Sequence, residues 1–131
     1  MFKEIEVSTR ERTQLLDITE EVRTFLAGIK ARSGLVTVFV PHTTVGVTIN
    51  ENADPDVVRD ILSFTSEMVP EDASFRHSEG NSDAHIKSLL FGPSLTLIVE
   101  DGRPMLGTWQ SVYFAEFDGP RRRRVWLKFV G

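Results

Sequence analysis

The sequence predicts an α+β fold: a single compact domain with a largely antiparallel sheet or sandwich, two longer helices and one short helix. Three observations predict it. Segments with period-two alternation outnumber helical ones, helices and strands do not alternate as βαβ units, and Asp-Gly pairs punctuate the C-terminal part. The 131 residues fit one domain over residues 1–131, long enough to bury roughly two-thirds of its unfolded surface.

Residues 2–9 alternate apolar and charged side chains as a strand does, and 13–18 form a second extended piece. Thr19 reads as an N-cap ahead of Glu20 and Glu21, which suit the positive end of a helix dipole. Val22, Phe25, Leu26 and Ile29 recur at helical spacing, and Gly34 ends that segment. Residues 35–40 are rich in β-branched side chains and read as a buried strand. Pro41 interrupts it, and 45–50 resumes with strict alternation.

Asp54-Pro55 starts a second helix, an acidic cap followed by proline in the first turn. Val57, Val58, Ile61, Leu62 and Met68 supply its apolar stripe, and Pro70 closes it. Residues 71–81 lack an apolar period and form a polar loop. Asn81 or Ser82 caps a short third helix carrying Ile86, Leu89 and Leu90, with Gly92 at its end. A strand over 94–99, an Asp101-Gly102 turn, a strand over 106–117, an Asp118-Gly119 turn and a strand over 122–130 complete the chain.

Composition excludes several function classes. Fifteen Lys and Arg against nineteen Asp and Glu give a net charge of −4, which argues against a nucleic-acid partner. The absence of Cys removes disulfides, thiol nucleophiles and Cys-type zinc sites together. Residues 1–7 hold no signal-peptide core, and the apolar stretch at 35–41 is far too short to span a bilayer. The expectation is a cytoplasmic protein without a membrane partner.

Polar residues collect in four places. Along 44–50, Thr44, Gly46, Thr48 and Asn50 share one strand face, with His42 in phase if Pro41 preserves the register. Along 108–116, Thr108, Gln110, Val112, Phe114 and Glu116 share another. Such a face meets either bulk water or a site. The stretch from His77 to His85 is the densest polar run, with two imidazoles, two carboxylates, an amide and a glycine before a helix start. Free amides there attract anions, and imidazoles with carboxylates bind a divalent metal or move protons. Its eight-residue His spacing matches no established metal signature. In the run 121–124, alternate arginines point to opposite sides, so at most two serve one anion, and Arg103 is a second phosphate candidate. Asp54 is assigned to helix capping, and Glu51, free of such a duty, to acid/base or metal work.

Three sets of motifs carry a resemblance over nearly the whole chain. They are His42-Thr43-Thr44 with Ile49-Asn50-Glu51-Asn52-Ala53-Asp54-Pro55-Asp56-Val57, then His77-Ser78-Glu79-Gly80-Asn81-Ser82-Asp83-Ala84-His85-Ile86-Lys87, and finally Leu106-Gly107-Thr108-Trp109-Gln110 with Glu116-Phe117-Asp118-Gly119-Pro120-Arg121. In these the sequence resembles the YjbQ-like family, also called the secondary thiamine-phosphate synthase enzyme family. The resemblance implies a compact α+β domain, a homotrimer and a weak thiamine-phosphate synthase activity. That reaction joins a thiazole phosphate to a pyrimidine carried as its diphosphate and releases pyrophosphate. It also implies a polar pocket of His42, Thr44, Asn50, Glu51, His77, Glu79, Asn81, His85, Gln110 and Glu116.

The reading that follows is an enzyme-like site acting on a phosphorylated small molecule. His42, His77 and His85 are candidate ligands of a divalent metal or proton-transfer groups. Glu51, Glu79 and Glu116 are candidate acid/base carboxylates, Thr44, Asn50, Asn81 and Gln110 candidate substrate contacts, and Arg121 a candidate phosphate anchor. The alternatives are a non-catalytic trimeric module that binds a metal or a phosphate ligand, and a wet subunit interface of structural use only.

Overall fold

A computed structural model describes residues 1–71 and 74–131 of the chain. Eight strands and three helices follow in the order β1 (Phe2–Ser8), β2 (Gln14–Asp17), α1 (Thr19–Gly28), β3 (Gly34–Phe39), β4 (Val45–Glu51), α2 (Pro55–Met68), α3 (Ser82–Phe91), β5 (Ser94–Glu100), β6 (Arg103–Pro104), β7 (Gln110–Glu116) and β8 (Arg122–Val130). The fold class is the α+β arrangement expected, although the third helix is as long as the first, at 10 residues each.

Strands β1-β8-β3-β5-β6 form a five-stranded sheet and β2-β7-β4 a three-stranded one, and every pairing is antiparallel. The main core lies between them. Val36, Val38, Leu97, Val99, Val125 and Leu127 of the larger sheet pack with Val45, Val47, Val112 and Phe114 of the smaller one and with Val22, Phe25 and Leu26 of α1. The opposite face of the smaller sheet holds a second cluster of Leu15, Tyr113, Ala115 and Phe117. Val58, Ile61 and Leu62 of α2 and Ala84 and Phe91 of α3 pack on it. Central strand β7 is therefore buried on both faces.

Local signals set most element ends. Asp54 caps α2 by accepting from the Asp56 amide at 2.9 Å, with Pro55 as the first helical residue. Asp101 (φ 51°) and Gly102 (φ 75°) form a two-residue turn between β5 and β6, with both residues in the left-handed region a type I′ hairpin needs.

Five expectations are corrected. Thr19 is the first helical residue of α1, Ile18 holds the cap position without a side-chain bond, and Asp17 just before it accepts from the Thr19 amide at 2.9 Å and hydroxyl at 2.6 Å. The same hydroxyl oxygen accepts from the Val112 amide, which ties α1 to β7. Helix α1 stops at Gly28 and not at Gly34, because Lys30 turns left-handed (φ 53°) and Ala31 donates back to the Leu26 carbonyl. Strand β7 begins at Gln110, not at residue 106. The segment around Pro41 does not preserve a register, since β3 and β4 belong to different sheets. Asp118-Gly119 likewise joins strands of different sheets and closes no hairpin. The Glu116 carboxylate holds that crossover by accepting from the Phe117 and Asp118 amides.

At Gly46 the face of β4 is covered by α3, while Asn50 farther along the same face stays exposed. A Cβ at Gly46 would sit 2.7 Å from the Phe91 Cβ and 3.1 Å from the Gly92 carbonyl. The small residue is what lets the helix approach. This contact seats the last turn of α3 on β4, while Asn81 at the start of the helix is tied to Asp118 just past the end of β7.

Candidate functional site

Four segments meet at that end of the smaller sheet. The loop before α3 supplies His77 and Glu79, and α3 supplies Asn81 at its cap and His85 one turn on. The β3–β4 link supplies Thr43 and Thr44, and the β7–β8 crossover and β8 supply Asp118, Arg121 and Arg123. Together they line a cleft of about 320 Å³. A larger cavity of about 430 Å³, between residues 29–33 and Phe129, contains no imidazole or side-chain carboxylate. Of these two, only the smaller cleft is lined by imidazoles and side-chain carboxylates.

Strand alternation sorts the four arginines. Arg122 and Arg124 point outward toward β1, where Arg124 lies 3.6 Å from Glu4 and Arg122 4.0 Å from Glu6. Arg121 and Arg123 turn the other way and line the cleft. Arg123, only 6% exposed, grips Glu116 in a bidentate pair, Nη2 to Oε2 at 2.6 Å and Nε to Oε1 at 2.9 Å. Its Nη2 also donates to the Thr44 hydroxyl at 2.9 Å, and the Thr9 hydroxyl donates to Glu116 at 2.7 Å. Burial works against the Glu116 charge, but these donors and the Asp118 amide outweigh it and hold its carboxyl below the usual range. Glu116 is thus the anchor of Arg123, with its oxygens already engaged.

A second network holds the start of α3. Asp83 is fully buried and receives Arg12 through two bonds of 3.2 Å and Lys87 through one of 3.2 Å. Burial raises its carboxyl, and the two cations more than compensate, so its net shift is downward. Arg12 also reaches Glu71 at 3.0 Å and Asp118 at 3.9 Å. Asp118 in turn accepts from Asn81 Nδ2 at 2.8 Å and from Arg121 at 3.3 Å. One arginine thereby ties the start of α3, Glu71 and the strand crossover into a single frame.

The imidazoles of His77 and His85 meet edge to face, with centroids 5.5 Å apart, and Glu79 lies 3.9 Å from His77. His42 does not line the cleft. Its Nε2 accepts from the Arg124 amide at 2.9 Å, and burial, then Arg123 and Arg124, push its pKa down, which favours the neutral ring. Among the described residues no three His, Asp or Glu side chains form a metal-holding group, so the three histidines are not one ligand set within a protomer.

Of the expected pocket, the fold brings together Thr44, His77, Glu79, Asn81, His85 and Arg121, with Glu116 in the wall behind Arg123. It does not bring Asn50, Glu51 or Gln110 to them. In the β4–β7 ribbon, Val45 pairs with Glu116 at one end and Glu51 with Gln110 at the other. Six residues of extended strand separate the two ends by about 20 Å. At the far end, the Glu51 carbonyl accepts from the Tyr113 hydroxyl and Gln110 Oε1 accepts from the Gly107 amide. Asn50 lines a separate shallow cavity with Ile61 and Leu90. Arg103 is exposed in the β5–β6 hairpin and does not line the cleft. Sequence reasoning missed Arg123, Asp118 and Thr43. The two-residue spacing from Arg121 was the available signal for Arg123.

Comparison with known proteins matches the family model described as UPF0047 protein YjbQ-like over residues 3–131. The chain belongs to the YjbQ-like UPF0047 family. It is 50% identical to the UPF0047 protein MJ1081 of Methanocaldococcus jannaschii, over 100% of this chain and 95% of that protein. It is 49% identical to the UPF0047 protein YugU of Bacillus subtilis, over the full length of both. Among solved structures, a YjbQ/UPF0047 protein from Clostridium acetobutylicum superposes with a TM-score of 0.96 at 48% identity, covering 98% of this chain and 99% of that one. The hypothetical protein APE1520 of Aeropyrum pernix gives 0.95 at 38% identity, covering 100% and 98%. Among the described residues, no helix of this YjbQ-like chain is long and apolar enough to cross a membrane.

Proposed function

We propose that the cleft binds a small phosphorylated molecule and that His77 and His85 exchange protons with it. One observation carries the reading: paired imidazoles, two inward arginines and a helix start converge on a single cavity. The cations and the free amides of a helix start are the groups that hold phosphate oxygens. At about 320 Å³ the cavity is at the small end of ligand sites, which suits one phosphorylated molecule of modest size.

The finer reading is the transferase reaction implied by the family resemblance. In it the ring nitrogen of a thiazole phosphate attacks the methylene carbon of a pyrimidine diphosphate. The carbon–oxygen bond breaks, and pyrophosphate leaves with the electron pair. Arg121, Arg123 and the α3 amides would stabilise the departing charge. The donors present in one protomer do not fit a three-ligand metal centre, so no step is assigned to a metal.

The assembly we assign is a homotrimer. Large apolar side chains left exposed on α2 and α3 support association, namely Phe64, Met68, Leu89 and Leu90.

The test is thermal unfolding with phosphate and pyrophosphate, together with a synthase assay of His77→Ala and His85→Ala. Stabilisation by either anion and a turnover loss of about 100-fold or more in folded variants are the expected results. Unchanged turnover removes the histidines from the chemistry. Stabilisation without any turnover leaves a binding module.

A further inference from the structure

The one imidazole hydrogen bond among the described residues belongs to His42. His77 and His85 therefore line the cleft with their ring nitrogens uncommitted, edge to face with centroids 5.5 Å apart. The two rings differ in their surroundings. His77 lies in the loop before α3 and has the Glu79 carboxylate 3.9 Å away to balance an added proton. His85 makes no such contact among the described residues and is carried one turn into α3, on a rigid element.

The arginines are likewise half committed. Arg121 donates through Nε and Nη2 to the carbonyl and carboxylate of Asp118, and Arg123 through Nε and Nη2 to Glu116 and Thr44. The Nη1 of each has no partner among the described residues. In Arg123, only 6% exposed, that nitrogen is not sealed off, because Asn81 Oδ1 is the one enclosed side-chain polar atom without a partner among the described residues. The cavity that Arg123 lines is the cleft. Two guanidinium groups, each fixed by a carboxylate and each with a donor to spare, match a phosphoryl group whose charge spreads over three equatorial oxygens.

Resting on the phosphate reading above, we propose a further activity for this cleft: hydrolysis of a small phosphate monoester through a phosphohistidine at His85. A ring nitrogen of His85 attacks phosphorus and the ester P–O bond breaks. The alcohol oxygen leaves with the electron pair and takes a proton from His77. Water then attacks phosphorus and passes a proton to His77. The N–P bond breaks, its electron pair returns to His85, and inorganic phosphate departs. Arg121 and Arg123 hold the phosphoryl group through both steps. Attack here is at phosphorus, not at carbon as in the transferase, so the two reactions leave different products.

Mixing the wild-type chain with p-nitrophenyl phosphate, quenching in alkali to preserve a phosphorus–nitrogen bond, and mapping the labelled residue by mass spectrometry tests this. The expected result is one acid-labile phosphoryl group on His85 and none in His85→Asn. In His77→Asn the label should still form, because p-nitrophenolate leaves without a proton, and should persist about tenfold longer for want of a base to activate water. The same variant should lose about 100-fold in hydrolysis of methyl phosphate, whose leaving oxygen needs the proton. Should either variant not fold, the residue labelled in the wild type decides alone. Ester cleavage without a label, or a label on another residue, overturns the inference. Calorimetric titration with inorganic phosphate separates the two readings. Phosphate bound with neither ester cleaved overturns the phosphohistidine and spares the phosphate reading, whereas no binding and no cleavage overturns both.

Discussion

Arg123 and Glu116 meet in the wall of the cleft as a fork on a carboxylate, with both contacts below 3.0 Å and neither side chain more than 7% exposed. Removing one partner of such a pair leaves an uncompensated buried charge, which costs about 3–5 kcal/mol. Glu116→Leu is therefore expected to lose stability on that scale. Chemical denaturation of the variant against the wild type measures it, and a loss under about 1 kcal/mol would assign the pair a minor part.

Acid should destabilise the protein in two stages. His42, with its ordinary value at 6.5, is pushed lower in the fold, so the unfolded chain takes up the proton first. Stability then falls as pH drops through about 6.5. Glu116 and Asp83 are also held below their ordinary values of 4.5 and 3.8, and what they contribute is lost as pH falls further through their folded values. His42→Gln keeps an acceptor for the Arg124 amide and should flatten only the upper stage. Unfolding free energies between pH 8 and pH 2, measured on both proteins, check this.

Gly46→Ala should cost about 1–3 kcal/mol, because its new methyl meets Phe91 on α3 in a packed layer. The helix must shift to relieve the contact, and with it the cleft wall. Phosphate affinity measured alongside the midpoint of unfolding should fall as well.

Leu89→Glu places a charge on an apolar position 69% exposed in one protomer. The expected outcome is a trimeric mass for the wild type and a monomeric one for the variant, by light scattering. A monomeric wild type would remove the assembly from the account.

What was legible in the sequence was local. Asp54-Pro55 and Asp101-Gly102 announce their cap and turn because the residues that act are neighbours along the chain. Alternation correctly assigned Val112 and Phe114 to one side of β7, and Tyr113, Ala115 and Phe117 to the other. Sheet membership was not legible. Asp118-Gly119 has the composition of a hairpin turn, yet its outcome depends on Glu116 and Arg123, which come from two sheets, and on Thr9 just past β1. The pocket was half legible for the same reason. Alternation says which side of β4 and β7 a residue occupies, but not which end of the ribbon receives the loop of His77. Lys30 shows the limit at a helix end, where a non-glycine residue took the left-handed turn.

The two-track arginine strand has a consequence for variation at this end of the chain. Inserting one residue after Pro120 would preserve the number of arginines, the isoelectric balance and the hydrophobic content. It would nonetheless swap the side chains offered to Glu116 for those offered to Glu4 and Glu6. Bulk charge is blind to that exchange, so mutational scanning here should find indels far more damaging than Arg-to-Lys replacement at positions 122 and 124.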